Sequence, residues 1–171
     1  MDSASPSSLS IPTTLSSSAS FLITMKFTSL AAAALAFALP AFAQATESLS
    51  YDTMYDDAST SLADVACSDG VYGLMTQGYT TFGSLPDFPY IGGVYTVAGW
   101  DSPNCGTCYE VTYTNPATET STTIAILAVD STLDGFNVSE EAMNALTGGL
   151  AVELGRVTVT SVEVDKSVCG L

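Results

Sequence analysis

The 171-residue chain contains no histidine, and only Lys26, Arg156 and Lys166 offset 18 acidic residues. The missing imidazole removes Ser-His-Asp and Cys-His nucleophilic catalysis, histidine metal sites and acid–base work near neutral pH. Any chemistry has to rest on carboxylates, tyrosines or backbone groups. A net charge of −15 repels nucleic acid and anionic membranes and favours neutral or cationic partners. The same acidity is an ordinary solubility device. A Gly-rich phosphate loop followed by Lys-Ser/Thr is missing, as is a basic patch interleaved with aromatics. No cofactor and no nucleic-acid partner is therefore expected. Tryptophan occurs once, as Trp100.

What is present begins with an export signal. Lys26 supplies a positive start, Leu30 to Leu39 an apolar core and Ala41-Phe42-Ala43 a small-residue cleavage site, so residues 25–43 read as a signal peptide. The apolar run is well short of the ~20 residues that span a bilayer. Residues 1–24 are Ser/Thr-rich and hold no Lys or Arg, unlike an Arg-rich transit peptide. They read as an extension ahead of the true initiator Met25, with a disordered tail before an internal signal-anchor as the alternative. Residues 44–171 then form one domain, with a real but modest core.

All four cysteines, Cys67, Cys105, Cys108 and Cys169, fall in that domain. An even count in a small exported domain implies two disulfides with three possible connectivities. A four-thiolate zinc site is the weaker reading in an oxidising compartment, so no metal is expected.

Strand-like alternation marks Ser48–Met54, Val94–Ala98, Tyr109–Thr114 and Arg156–Val164. Thr122–Val129 is apolar enough for a strand buried on both faces. Ser139–Leu146 is the clearest helix, with Ser139 as N-cap, Glu140 and Glu141 in the first turn, and Gly148-Gly149 at the exit. A short helix is expected over Val71–Gln77, and the Gly/Pro-rich Thr80–Gly93 predicts a long loop. Short strands, few helices, long loops and two staples predict a mainly β protein built as a small closed barrel.

The block Gly99-Trp100-Asp101-Ser102-Pro103-Asn104-Cys105-Gly106-Thr107-Cys108 is the most specific part of the chain. With Ser50-Tyr51-Asp52, Val65-Ala66-Cys67-Ser68, Gly73-Leu74-Met75, Val129-Asp130-Ser131, Gly135-Phe136-Asn137-Val138 and Gly155-Arg156-Val157, it resembles the cerato-platanin family of secreted fungal proteins. The resemblance runs from about Ser48 to Cys169. It implies a six-stranded double-psi β-barrel, the fold of expansin and barwin domains, with disulfides Cys67–Cys105 and Cys108–Cys169. It also implies secretion to the cell wall, binding of chitin or N-acetylglucosamine oligomers in a shallow groove and non-hydrolytic wall loosening. Recognition by plant cell-surface immune components follows from the same likeness. The chain departs from the family pattern at Tyr109, where Trp is common, and at the Ser131-Thr132-Leu133-Asp134 turn.

Candidate ligand-binding residues are Asp130, Ser131, Asp101, Asn137, Trp100 and Tyr51. Asp130 ends the most apolar strand, where a carboxylate needs partners. It reads as a groove acceptor for sugar donors, or as a structural acceptor for the Ser131 loop. Glycoside hydrolysis needs two carboxyl groups, and the candidate partners Asp101 and Asp134 lie in no general-acid motif, so no catalytic residue is assigned. Asn137-Val138-Ser139 is a glycosylation sequon, a ligand contact or a turn before the cap. Trp100 reads as core beside a disulfide or, less readily, as a sugar platform. Leu85, Phe88, Tyr90 and Ile91 either expose apolar surface that drives self-association or are buried under their loop. A weak glycan hydrolase and a self-assembling coat protein are the rival functions.

Overall fold

Six strands pair edge to edge without a free end. The computed structural model describes residues 44–171. The N-terminal extension and signal peptide expected over 1–24 and 25–43 lie outside the described residues. The strands are β1 (Ala45–Tyr51), β2 (Ile91–Val94), β3 (Cys108–Thr114), β4 (Ser121–Ser131), β5 (Phe136–Val138) and β6 (Arg156–Val164), closed in the order β1-β5-β2-β4-β3-β6. Parallel pairs β1/β5 and β2/β4 are interleaved with antiparallel ones, which gives the expected double-psi barrel. Closure removes exposed strand edges.

Inward residues alternate along the strands. Leu49, Val111, Phe136, Val138 and Val159 are buried, while Ser50 and Asn137 on the opposite faces stay partly exposed. Only Ile126–Val129 of β4 are buried on both faces; the first half of that strand is open. Helix α1 (Glu140–Thr147) lies against β4 and buries Ala142, Met143 and Leu146. The Ser139 hydroxyl caps it, accepting from Ala142 N–H at 2.9 Å, and Asp56 accepts from Glu140 and Glu141 N–H at 2.9 and 3.0 Å. A carboxylate at the positive helix end is favourable. A single turn, α2 (Ala151–Leu154), follows. The disulfides are Cys67–Cys105 and Cys108–Cys169, and no thiol is free.

Several expected boundaries move. The strand expected over Val94–Ala98 is instead Ile91–Val94, inside the segment expected to be loop. The reason is close backbone approach: a Cβ on Gly92 would strike the Asn137 carbonyl, so the glycines mark tight pairing rather than a turn. β1 stops at Tyr51 because Asp52 caps a 3-10 turn, accepting from Met54 N–H at 2.9 Å. No helix spans Val71–Gln77; only Met75–Gln77 make a 3-10 turn. There the Leu74 and Met75 N–H groups go back to the Cys67 and Ser68 carbonyls. In the Gly/Pro-rich segment Leu85 and Ile91 are buried and Phe88 and Tyr90 pack on the core, so that loop is not an exposed apolar surface.

Candidate functional site

Asp130 leaves the barrel at the end of β4. Its Oδ1 accepts from the N–H of Ala66 at 2.9 Å and of Ser131 at 2.8 Å, and its Oδ2 from the Tyr55 hydroxyl at 3.1 Å. Burial and then the Asp130 charge push the Tyr55 hydroxyl far above its usual range, so it stays a donor. A carboxylate offers about four acceptor positions; three are occupied, leaving room for one donor from outside. Asp130 is partly exposed.

Strand register makes Asp130 part of a row. Ser50, Asn137, Gly93 and Asp130 are cross-strand neighbours on β1, β5, β2 and β4, and Arg156 continues the row on β6. At strand spacings of about 4.8 Å, Asn137 and Asp130 lie roughly 10 Å apart. Gly93 between them leaves the floor low: a Cβ there would sit 3.4 Å from the Tyr55 hydroxyl. Ser131, one residue on, is exposed and lines an open cleft of about 360 Å3 with Tyr95, Val97, Ala98, Thr132 and Leu133.

A second group forms around the Cys67–Cys105 bridge. Trp100 is 66% exposed, and its Nε1 donates to Asp69 Oδ1 at 2.7 Å. The reading of Trp100 as core is thereby overturned: the ring lies outside the barrel, held by a carboxylate rather than packed. Asp101 adopts a left-handed backbone with φ 56°, and its Oδ1 accepts from Tyr72 N–H at 2.9 Å. Tyr72 and Val71 are exposed beside it. Trp100 and its chain neighbour Asp101 thus fall in one group, and Asp130 and Asn137 stand in one row on either side of Gly93. Tyr51 belongs to neither group; it shares the Leu49 face of β1 and packs on the core.

The remaining sequence candidates take up other contacts. Tyr109 is buried against Phe136, with its hydroxyl 2.8 Å from Thr96 Oγ1, so the departure from Trp there is a core substitution. Asn137 is a strand residue rather than a turn, and the Ser139 hydroxyl of its sequon is buried and donates to the Pro89 carbonyl. Asp134 accepts from Ser48 Oγ at 2.9 Å and Asp101 from Tyr72; neither shares a partner with Asp130. Among the described residues no cluster of acidic or cysteine side chains is arranged to hold a metal. Sequence reasoning missed Asp69, Tyr72 and the Ser48–Ser50–Arg156 group, because only the fold brings these distant positions together.

A closed double-psi barrel with two disulfides, an outward tryptophan and a polar row on its outer face defines a small stapled β-barrel protein with an open polar surface. The chain belongs to the cerato-platanin family, whose model matches residues 47–171. It is 48% identical over 152 residues to the heat-stable 19 kDa antigen of Coccidioides immitis, an alignment that covers 86% of this chain and 99% of that protein. Cerato-platanin 1 of M. perniciosa superposes with a TM-score of 0.69 at 49% identity, over 72% of this chain and 98% of that one. The solution structure of the fungal elicitor cerato-platanin gives 0.62 at 48% identity, over 71% and 95%.

Proposed function

We propose that this is a secreted, non-catalytic protein that binds chitin-type N-acetylglucosamine oligomers at cell walls, loosens them without hydrolysis and elicits plant defence. The observation that carries the reading is Trp100. An indole left 66% exposed is costly in water, yet it is pinned to Asp69, which presents a flat apolar face at little ordering cost. Sugar rings offer apolar C–H faces and peripheral hydroxyls, which match an aromatic platform rimmed by the Asp69 and Asp101 carboxylates. Asp130 contributes its remaining acceptor position.

Titration calorimetry with chitin hexamer on wild type and Trp100→Ala tests this. The variant is expected to bind about tenfold more weakly, ~1.4 kcal/mol, with an unchanged melting temperature because the ring supports no core. Asp130→Asn is expected to lower both affinity and stability, since it disturbs three internal bonds. Equal affinity of wild type and Trp100→Ala overturns the platform. Release of reducing sugar that Asp130→Asn abolishes would establish a hydrolase instead.

A further inference from the structure

Of the four asparagines in the chain, only Asn137 stands in an Asn-x-Ser/Thr sequon, Asn137-Val138-Ser139, and the fold leaves its side-chain nitrogen open. The Ser50 hydroxyl donates to Asn137 Oδ1 at 3.0 Å. Nδ2 meets no acceptor among the described residues. The only side-chain polar atom there that is both buried and unpartnered is Asp87 Oδ2, so Nδ2 reaches solvent. The cross-strand neighbours of Asn137 are Ser50 on β1 and Gly93 on β2. Neither raises a bulky side chain against a group attached to Nδ2.

The hydroxyl half of the sequon is in the opposite condition. Ser139 is fully buried, donates to the Pro89 carbonyl at 2.6 Å and accepts from Ala142 N–H at 2.9 Å as the cap of α1. The backbone around Asn137 is paired on both sides, to β1 and to β2. A transferase that reads Asn and Ser together in an extended segment therefore finds the motif only before the barrel closes. The export signal expected over residues 25–43 would bring the nascent chain to such an enzyme in that state.

We propose that Asn137 carries an N-linked glycan, added before folding, that stands on the outer face of the barrel and masks the polar row. In the transfer Nδ2 loses a proton and bonds to C1 of the terminal N-acetylglucosamine of a lipid-pyrophosphate-linked oligosaccharide. The C1–O bond breaks, and the lipid pyrophosphate leaves with its electron pair. The product is still an amide, so Oδ1 keeps the Ser50 bond and no native hydrogen bond is lost. The glycan is bulky and hydrophilic, and its first sugar is rooted between Ser50 and Gly93, in line with Asp130. Occupancy at synthesis thus fixes how much of the protein is masked and how much is open. The masking rests on the glycan-binding reading; the modification itself does not.

The test uses the full chain secreted from a yeast and the same sequence made, with its disulfides, in bacteria that add no such glycan. Peptide mass spectrometry of the yeast protein is expected to place a glycan on Asn137, and Asn137→Gln should lack it. The glycosylated and bacterial proteins should melt at the same temperature. Titration with chitin hexamer should show the glycosylated form binding about tenfold more weakly, and an endoglycosidase that trims the glycan to its first sugar should recover part of that loss. Microsomes carrying the transferase and its donor should modify the chain as it is translated and leave the folded bacterial protein untouched.

An unmodified Asn137 in the secreted protein overturns the proposal, and modification of the folded protein overturns the order of events. Equal hexamer affinity of the glycosylated and bacterial proteins overturns the masking. If neither form binds hexamer, the glycan-binding reading fails and takes the masking with it, while the mass spectra still decide the modification.

Discussion

Among the described residues, Asp87 is a carboxyl whose surroundings work against its charge. It sits in the Pro86–Pro89 turn with Oδ2 buried and unpartnered, and burial pushes its pKa up to about 7. In the unfolded chain the same carboxyl titrates near its ordinary value of 3.8. Between those two values the folded protein holds a proton that the unfolded chain has released, so stability falls as pH rises through the window. The favourable contribution is complete below about pH 4 and gone above pH 7. Acidification also relieves the general self-repulsion of the acidic surface, so wild-type melts alone cannot isolate the group. Asp87→Asn is expected to raise the melting temperature at pH 8, leave it nearly unchanged at pH 4 and flatten the profile between. Melting curves of wild type and variant that run parallel from pH 4 to 8 would exclude this role. The Asp130 carboxylate shows the opposite arrangement: Ala66, Ser131 and Tyr55 all donate to it, which is why a buried strand can end on a charge.

At the level of elements, legibility tracked length and periodicity. β3, β6 and α1 run for 7, 9 and 8 residues, long enough for period two or a capped helical pattern to show. β5 has three residues and α2 four, too few for any period, and both went unread. β2 was misplaced because its Gly92-Gly93 pair looks like a turn signal. In the barrel that pair is a place where backbones nearly touch, with Val138 Cα 2.7 Å from a Cβ built on Gly92. Gly92→Ala therefore has to push β5 away from β2. A loss of about 1–3 kcal/mol in stability is expected, in line with overpacking a tight site, measured by chemical denaturation. Wild-type stability in this variant would mean that the β2–β5 pair yields cheaply. Gly135 has the same character: its φ is +55°, and a Cβ would meet the Ser48 carbonyl.

For the whole molecule, the two disulfides span 38 and 61 residues and together tie the loops at 65–74 and the C-terminal turn to the barrel. In the chain-entropy description each such link is worth roughly 4 kcal/mol, a large share of the ~5–15 kcal/mol that holds a typical domain together. Reduction is therefore expected to lower the melting temperature sharply. The Cys67→Ser/Cys105→Ser protein should also bind chitin hexamer less well than its residual stability suggests, because that bridge joins the Asp69 and Trp100 loops. Melting in reductant and titration of this variant at a temperature where it is folded check both. Unchanged affinity would show that the Asp69–Trp100 bond alone presents the ring.

The sequence by itself determined the class of chemistry and the class of fold. The lack of histidine, the excess of acid and the even cysteine count are compositional facts that no folding can change. Alternation in β3 and β6 and the capping of α1 by Ser139 are local and so are written in neighbouring residues. The resemblance carried the strand count and the disulfide pairing, which spacing leaves open among three connectivities. Only the tertiary structure decided the surface. Whether Trp100 is buried or exposed is settled with Asp69, 31 residues away, and the Arg156–Ser50–Asn137 hydrogen bonds link β6, β1 and β5 across 106 and 87 positions. Contacts at such separations leave no trace in local pattern, because hydrophobic periodicity records which side of a strand is buried and not which polar groups the barrel's closure sets side by side.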